Sequence, residues 1–256
     1  MEKSSSIERL LSIPRLFCES RPVWTVEAVA VELGLPVSST YRYFQQLLKA
    51  EYLDEAPEGG YCLGPAFIEF DRIIRVTDPM SRVAQPILAE LSDSLREGVV
   101  LILCQVYRKK VMCIQQQTVG LGPADTSYER GKPMPMYRGA TSKVILAHLP
   151  WRLQKKEYEQ NQSEIAAAGL GHDWKAFSAV LRDIRKNGYC VSRGEVDAGR
   201  MGIAAPIISP QGRVMHSLSA VAPADINAIE EDALVMRIVT AASRITQRLA
   251  GHGAPL

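Results

Sequence analysis

At 256 residues the chain is long enough for two domains, each with its own core. A composition of 46% hydrophobic and 23% charged residues is ordinary for a soluble globular protein and speaks against a disordered chain. The net charge of +2 hides a split: residues 1–75 carry eight Lys/Arg against eleven Asp/Glu, a balance of −3, and the rest of the chain carries +5.

In chain order, the first predicted helix covers residues 7–19, kinked or delayed by Pro14. Val26, Val29, Ala30 and Leu33 are then spaced for one helical face. Ala30 is small enough to let a second helix pack closely, and Gly34-Leu35-Pro36 ends one helix and starts the next. The following helix, residues 37–49, has Phe44, Leu47 and Leu48 as its buried stripe, which leaves Ser38, Ser39, Thr40, Tyr41, Arg42 and Gln45 as candidate DNA contacts. Short hydroxyls let a backbone come close to phosphates, a helix start favours anions, and Arg42 can pair with a phosphate or a guanine edge. Two short strands at residues 52–53 and 61–63, joined by Pro57-Glu58-Gly59-Gly60, complete a wing. The pattern is that of a winged helix-turn-helix, although any three-helix bundle with a hairpin produces the same spacing. The acidic balance of this segment runs against nucleic-acid binding, but residues 36–50 contain Arg42 and Lys49 and no acid.

After Gly64-Pro65, residues 66–75 form a short amphipathic connecting helix with Phe67, Phe70 and Ile74 on one side, stopped by Thr77-Asp78-Pro79. A longer helix over 80–97 follows, with Val83, Ile87, Leu91 and Leu95 as its stripe. The period then becomes strand-like: residues 99–106 and 111–117 read as a hairpin. Helices are expected at 141–148, 151–168 and 173–186, strands at 189–191, 202–208 and 214–221, and a closing helix at 228–249. This order gives an α+β chain whose second domain has a mainly antiparallel sheet.

No apolar run is long enough to span a bilayer and the N-terminus lacks a signal-peptide core, so a cytoplasmic chain without membrane contact is expected. The five cysteines, Cys18, Cys62, Cys104, Cys113 and Cys190, are scattered and odd in number, which speaks against a disulfide framework or a zinc site. His148, His172, His216 and His252 stand apart from other ligand types, and neither a metal nor a cofactor is expected.

Four blocks in one order carry a resemblance: Gly34-Leu35-Pro36-Val37-Ser38-Ser39-Thr40-Tyr41-Arg42, then Tyr61-Cys62-Leu63-Gly64, then residues 131–143, then residues 188–195 through Gly199 to Ile203-Ala204-Ala205-Pro206. On these the chain resembles the isocitrate lyase regulator (IclR) family of bacterial transcription factors over almost its full length. The resemblance implies a winged helix-turn-helix domain (residues 1–64), a linker helix (65–78) and a GAF-like effector-binding domain (79–256), working on operator double-stranded DNA as a homodimer or dimer of dimers. It also implies an effector site in which Gly139 and Ala140, just before a helix, offer N–H groups to a carboxylate, with Ser192, Gly202, Ser219 and Val221 as further positions.

Members of the family that bind small keto acids have an aspartate, a cysteine and a second serine at the places of Ser192, Gly202 and Val221. The replacements here imply a roomier and less polar site, suited to a larger organic acid such as an aromatic carboxylate. The family's basic residues at the place of Val37 and on the wing are replaced by Val37, Glu55, Glu58 and Gly60. Glu195 is either a solvated loop carboxylate or a brace of the pocket loop through Arg200. Two other classes compete with this reading: a GAF-like thiol-dependent enzyme using Cys104, Cys113 or Cys190, for which the sequence offers no catalytic constellation, and a winged-helix module that binds protein through its acidic first domain.

Overall fold

The computed structural model describes residues 5–120 and 126–251, and the chain divides into two compact units, Met1–Thr77 and Asp78–Leu256. In the first unit, α1 (Ser6–Ser12) starts on a capping box made by Ser5 and Glu8. It is shorter than the predicted helix, because Pro14 diverts the chain into a 3₁₀ turn, Ile13–Leu16. Helix α2 (Val26–Leu33) is capped by Thr25 and ends at Gly34, whose φ of 62° is the left-handed conformation that glycine adopts most readily. The Leu35 N–H then returns to the Ala30 carbonyl at 2.8 Å, closing the tight turn into α3 (Val37–Lys49). Val29, Phe44 and Leu47 pack with Ile13, Trp24, Val26 and Leu53 in one core, with Leu48 only half-buried beside it.

The wing is an antiparallel pair, β1 (Leu53–Glu55) and β2 (Tyr61–Leu63), in the register Leu53↔Leu63. Trp24 adds a further rung against Tyr61, with bonds of 3.0 and 2.8 Å. A Cβ at Gly64 would lie 2.2 Å from the Glu51 carbonyl oxygen, so the wing can return to the helices only over a glycine. Helix α4 (Ala66–Thr77) follows, with the Tyr52 ring against Phe67 and Phe70.

The second unit opens with α5 (Pro79–Asp93), whose cap Asp78 accepts from the Ser81 N–H at 2.7 Å. Its strands are β3 (Val100–Tyr107), β4 (Lys110–Thr118), β5 (Pro133–Pro135), β6 (Cys190–Arg193), β7 (Arg200–Ile208) and β8 (Val214–Pro223). They form one sheet of order β5-β4-β3-β8-β7-β6, antiparallel throughout. The helices are α6 (Ala140–His148), α7 (Trp151–Gln160), α8 (Gln162–Ala167), α9 (Trp174–Asn187) and α10 (Ala228–Gly251).

Strand alternation sorts the side chains into two cores. Leu101, Leu103, Ile203, Ala205, Leu218 and Ala220 meet α5 and α10. Val100, Ile102, Cys104, Ala204 and Val221 face α6 and α9 on the other side. The α6 face is where the sheet turns polar: Ser217 and Ser219 of β8 are wholly buried beneath that helix. Among the described residues, no helix is long and apolar enough to cross a membrane.

Candidate nucleic-acid interface and effector pocket

The outer surface of α3 follows from its amphipathic spacing. With Phe44 and Leu47 in the core, Ser38, Tyr41, Arg42 and Gln45 are exposed and Ser39 is half-buried. No side chain caps the start of the helix, where Pro36 is the N-cap. The Arg42 guanidinium donates to the Ser39 hydroxyl at 3.4 Å, which holds both over the first turn. Thr40 is a correction to the expected contact set: it is wholly buried, and its hydroxyl donates back to the Pro36 carbonyl at 3.2 Å. A hydroxyl committed to its own helix and out of solvent has no reach toward a phosphate. The wing carries Asp54, Glu55 and Glu58 on its exposed surface.

The second candidate site is built around the start of α6. Gly139 caps the helix at φ 77°, where a Cβ would lie 2.7 Å from the Tyr128 hydroxyl and 2.9 Å from Val196 Cγ2. The first two N–H groups both meet oxygen acceptors. Gly139 donates to Glu195 Oε2 at 3.0 Å and Ala140 to Ser192 Oγ at 3.0 Å. One turn on, Lys143 is buried, and its Nζ reaches Glu195 Oε1 at 2.5 Å. Glu195 is therefore a brace of the pocket loop, made through Lys143 and the helix start.

The Glu195 carbonyl also accepts from Arg138 Nε at 2.7 Å. Two residues on, the Asp197 carboxylate accepts from the Thr126 hydroxyl and from the Ser127 N–H and hydroxyl. Tyr128 donates to the Arg138 carbonyl at 2.9 Å and contacts Ser142 Oγ at 3.1 Å; burial pushes its phenol above the usual range, so it stays neutral.

Gly139, Ala140, Ser192, Gly202 and Val221 line one small cavity together with Tyr128, Glu195 and Val196. Ser219 does not line it. It lies underneath, wholly buried, bonded to Thr141 Oγ1 at 2.8 Å, and that contact fastens α6 to the sheet. The expected roominess is also corrected. The cavity measures about 20 Å³, the size of a single water molecule rather than of an aromatic acid. Glycine at position 202 does not open space, because a Cβ there would stand 3.1 Å from Ser192 Oγ.

Lys143 escaped the sequence reading as a site residue, though its signal was present: it is the one charge in the otherwise small and apolar run Ala140-Thr141-Ser142-Lys143-Val144-Ile145-Leu146. Cys104 and Cys113 are register partners across β3 and β4 and both are buried. Burial drives the Cys104 thiol well above its usual range and the Cys190 thiol to about 11, so neither is the thiolate that nucleophilic chemistry needs. Burial likewise lowers His148, and His216 to about 4; His252 lies outside the described residues.

Comparison with known proteins joins the two sites. Residues 76–247 match the family model for the bacterial transcriptional regulator IclR C-terminal region, and residues 6–57 match the IclR helix-turn-helix domain. The HTH-type transcriptional regulator KipR of Bacillus subtilis (strain 168) is 27% identical over 225 residues, 85% of each chain. The Pca regulon regulatory protein of Pseudomonas putida is 22% identical over 217 residues, 84% of this chain and 73% of that one. Among solved structures, an IclR homolog from Microbacterium hydrocarbonoxydans complexed with 4-hydroxybenzoate aligns with a TM-score of 0.75 over 96% of this chain and 100% of that one, at 20% identity, a likeness of fold. With a helix-turn-helix in the first unit, an effector-type sheet in the second and both halves matched, the chain belongs to the IclR family of bacterial transcriptional regulators and is a DNA-binding regulator, not an enzyme.

Proposed function

We propose that the chain binds operator DNA through the exposed face of α3, with Ser38, Ser39, Tyr41, Arg42 and Gln45 as contacts, and that its second unit senses a small organic acid at the start of α6. The observation that carries the sensing is the pair of N–H groups at Gly139 and Ala140, which meet oxygen acceptors beside the buried Lys143. An aromatic carboxylate is the favoured effector. Support comes from the 4-hydroxybenzoate held by the Microbacterium homolog and from the apolar Val221 and Val196 at the cavity. Control of a catabolic operon follows from the same kinship, since one relative governs the Pca regulon. The working form is a dimer or dimer of dimers, supported by α4, where Ile68 is 75% and Val76 59% exposed. An effector then regulates by binding two arrangements of that assembly with different affinity.

Two measurements test this. In a gel shift with the promoter region adjoining the gene, the wild type binds and Arg42→Ala loses specific binding while its melting temperature is unchanged. Equal binding by the two rejects Arg42 as a contact, and no binding to any genomic fragment rejects the operator reading. In a thermal-shift screen, aromatic carboxylates raise the melting temperature, because a ligand that binds only the folded state stabilises it. Stabilisation by glyoxylate or pyruvate alone overturns the aromatic assignment.

A further inference from the structure

The start of α6 is already occupied by the protein's own carboxylate. Glu195 accepts from the Gly139 N–H through one oxygen and from Lys143 Nζ through the other, at 3.0 and 2.5 Å. The side chain of Lys143 is only 5% exposed, against 24% for Glu195, so the acid enters from the rim and the base waits at the bottom. With Glu195 seated, the cavity is about 20 Å³, and the N–H of Gly139 and the ammonium of Lys143 are both engaged. An acid that uses the same groups has to exchange with it.

The segment that carries Glu195 is built for such an exchange. It joins β6 to β7 between Gly194 (φ 64°) and Gly199 (φ 71°), and a Cβ at either would meet no atom within 4 Å. Glycine at both ends permits a change of backbone conformation, which gives up the Gly194 N–H bond to the Arg200 carbonyl and the Ala224 N–H bond to the Gly199 carbonyl, each 2.9 Å. Between them the segment is fastened by Glu195 to α6, by its carbonyl to Arg138, by Asp197 to Thr126, Ser127 and the Arg200 N–H, and by Val196, which packs against the core on the α6 side.

We propose that Glu195 is an internal competing ligand, a latch whose carboxylate stands where the effector's carboxylate binds. The effector displaces it, takes over Lys143, and releases residues 194–199. The latch sets both ligand class and threshold. A monocarboxylate repeats the charge and the two contacts of Glu195, whereas a neutral analogue would leave Lys143 buried without a counter-charge. Because only the unlatched form is competent, apparent affinity is reduced by the fraction of protein in that form. This inference rests on the acid-sensing reading above.

The test is calorimetric titration of the full-length protein with benzoate and with benzamide, its neutral isostere. Glu195→Gln keeps the shape of the latch and removes its charge. It binds benzoate at least about ten-fold tighter than wild type, the factor expected if no more than a tenth of the wild-type protein is unlatched. Benzamide shows no such gain, and adding Lys143→Met to Glu195→Gln abolishes it. Glu195→Asp, which keeps the charge but is one methylene too short, gains in the same direction by less, and it carries the test if Glu195→Gln does not fold.

Benzoate affinity unchanged or weakened in the folded variants overturns the latch, as does an equal gain for benzamide, which would mean that space rather than charge was released. The sensing reading falls separately. If no carboxylate alters operator binding by the wild type while Glu195→Gln still gains benzoate, acid sensing fails and the latch stands. If the wild type answers to an aromatic acid and Glu195→Gln binds it no better, only the latch fails.

Discussion

Two glycines at the ends of helices show what a single residue decides. Gly34 and Gly139 both have positive φ, 62° and 77°, but the first faces open space and the second is enclosed by Tyr128 and Val196. Gly34→Ala therefore meets only backbone strain and should cost about 1 kcal/mol, with Gly34→Asn closer to neutral because asparagine tolerates the left-handed region. Gly139→Ala adds a clash with the Tyr128 hydroxyl and should cost at least about 2 kcal/mol. Urea unfolding of the two variants checks this, and equal losses would show that the enclosure of Gly139 relaxes freely. At this scale the sequence was legible where local backbone chemistry rules and silent where tertiary contacts do. Gly34 was readable as a helix stop. Thr40 looked like its neighbours Ser38 and Ser39, yet helical rotation puts it on the buried side with Phe44 and Leu47. Glu195 and Lys143 are 52 positions apart, and no local pattern announces that they meet.

Elements were legible in proportion to how far one physical signal dominated. Helix α3 follows the predicted span because its apolar spacing and its start after Pro36 agree. Residues 151–168 were expected as one helix and form two, since Asn161 at φ −136° leaves helical space between α7 and α8. Strand β5 was missed because Pro133 and Pro135 flank Met134 and read as loop; it is tolerated at the sheet edge, where a missing N–H on the outer side costs no ladder bond. Ala30 of α2 is buried next to Val29, and a residue that small suits the close approach of α3. Ala30→Leu forces the two helices apart and should lower the stability of the first unit by about 1–3 kcal/mol. In a melt with an effector acid present, the transition of the first unit moves and the acid-stabilised transition of the second stays. A shift of both together would show that the units unfold as one.

For the whole molecule, charge is the feature that a DNA-binding reading has to accommodate. The first 75 residues balance at −3, and residues 36–50 supply only Arg42 and Lys49 as cations. Acids on the wing, Asp54, Glu55 and Glu58, are exposed and repel the phosphate backbone. In the proposed interface, recognition would lean on neutral donors such as Ser38, Tyr41 and Gln45 and on the doubling of sites in the proposed dimer. That arrangement has a measurable signature, because each phosphate neutralised by a cation releases counterions and steepens the dependence of log K on log salt by about 0.9. A dimer using Arg42 and Lys49 from each copy should show a slope of about −4 or shallower. In Arg42→Ala the slope should flatten by about 2 if Arg42 contacts phosphate, and should keep its value, with lost sequence preference, if Arg42 reads a base edge. Fluorescence anisotropy on a labelled operator from low to moderate salt resolves the two. A wild-type slope steeper than about −7 would require cations from beyond α3 at the DNA, and would overturn the account of a weakly charged interface.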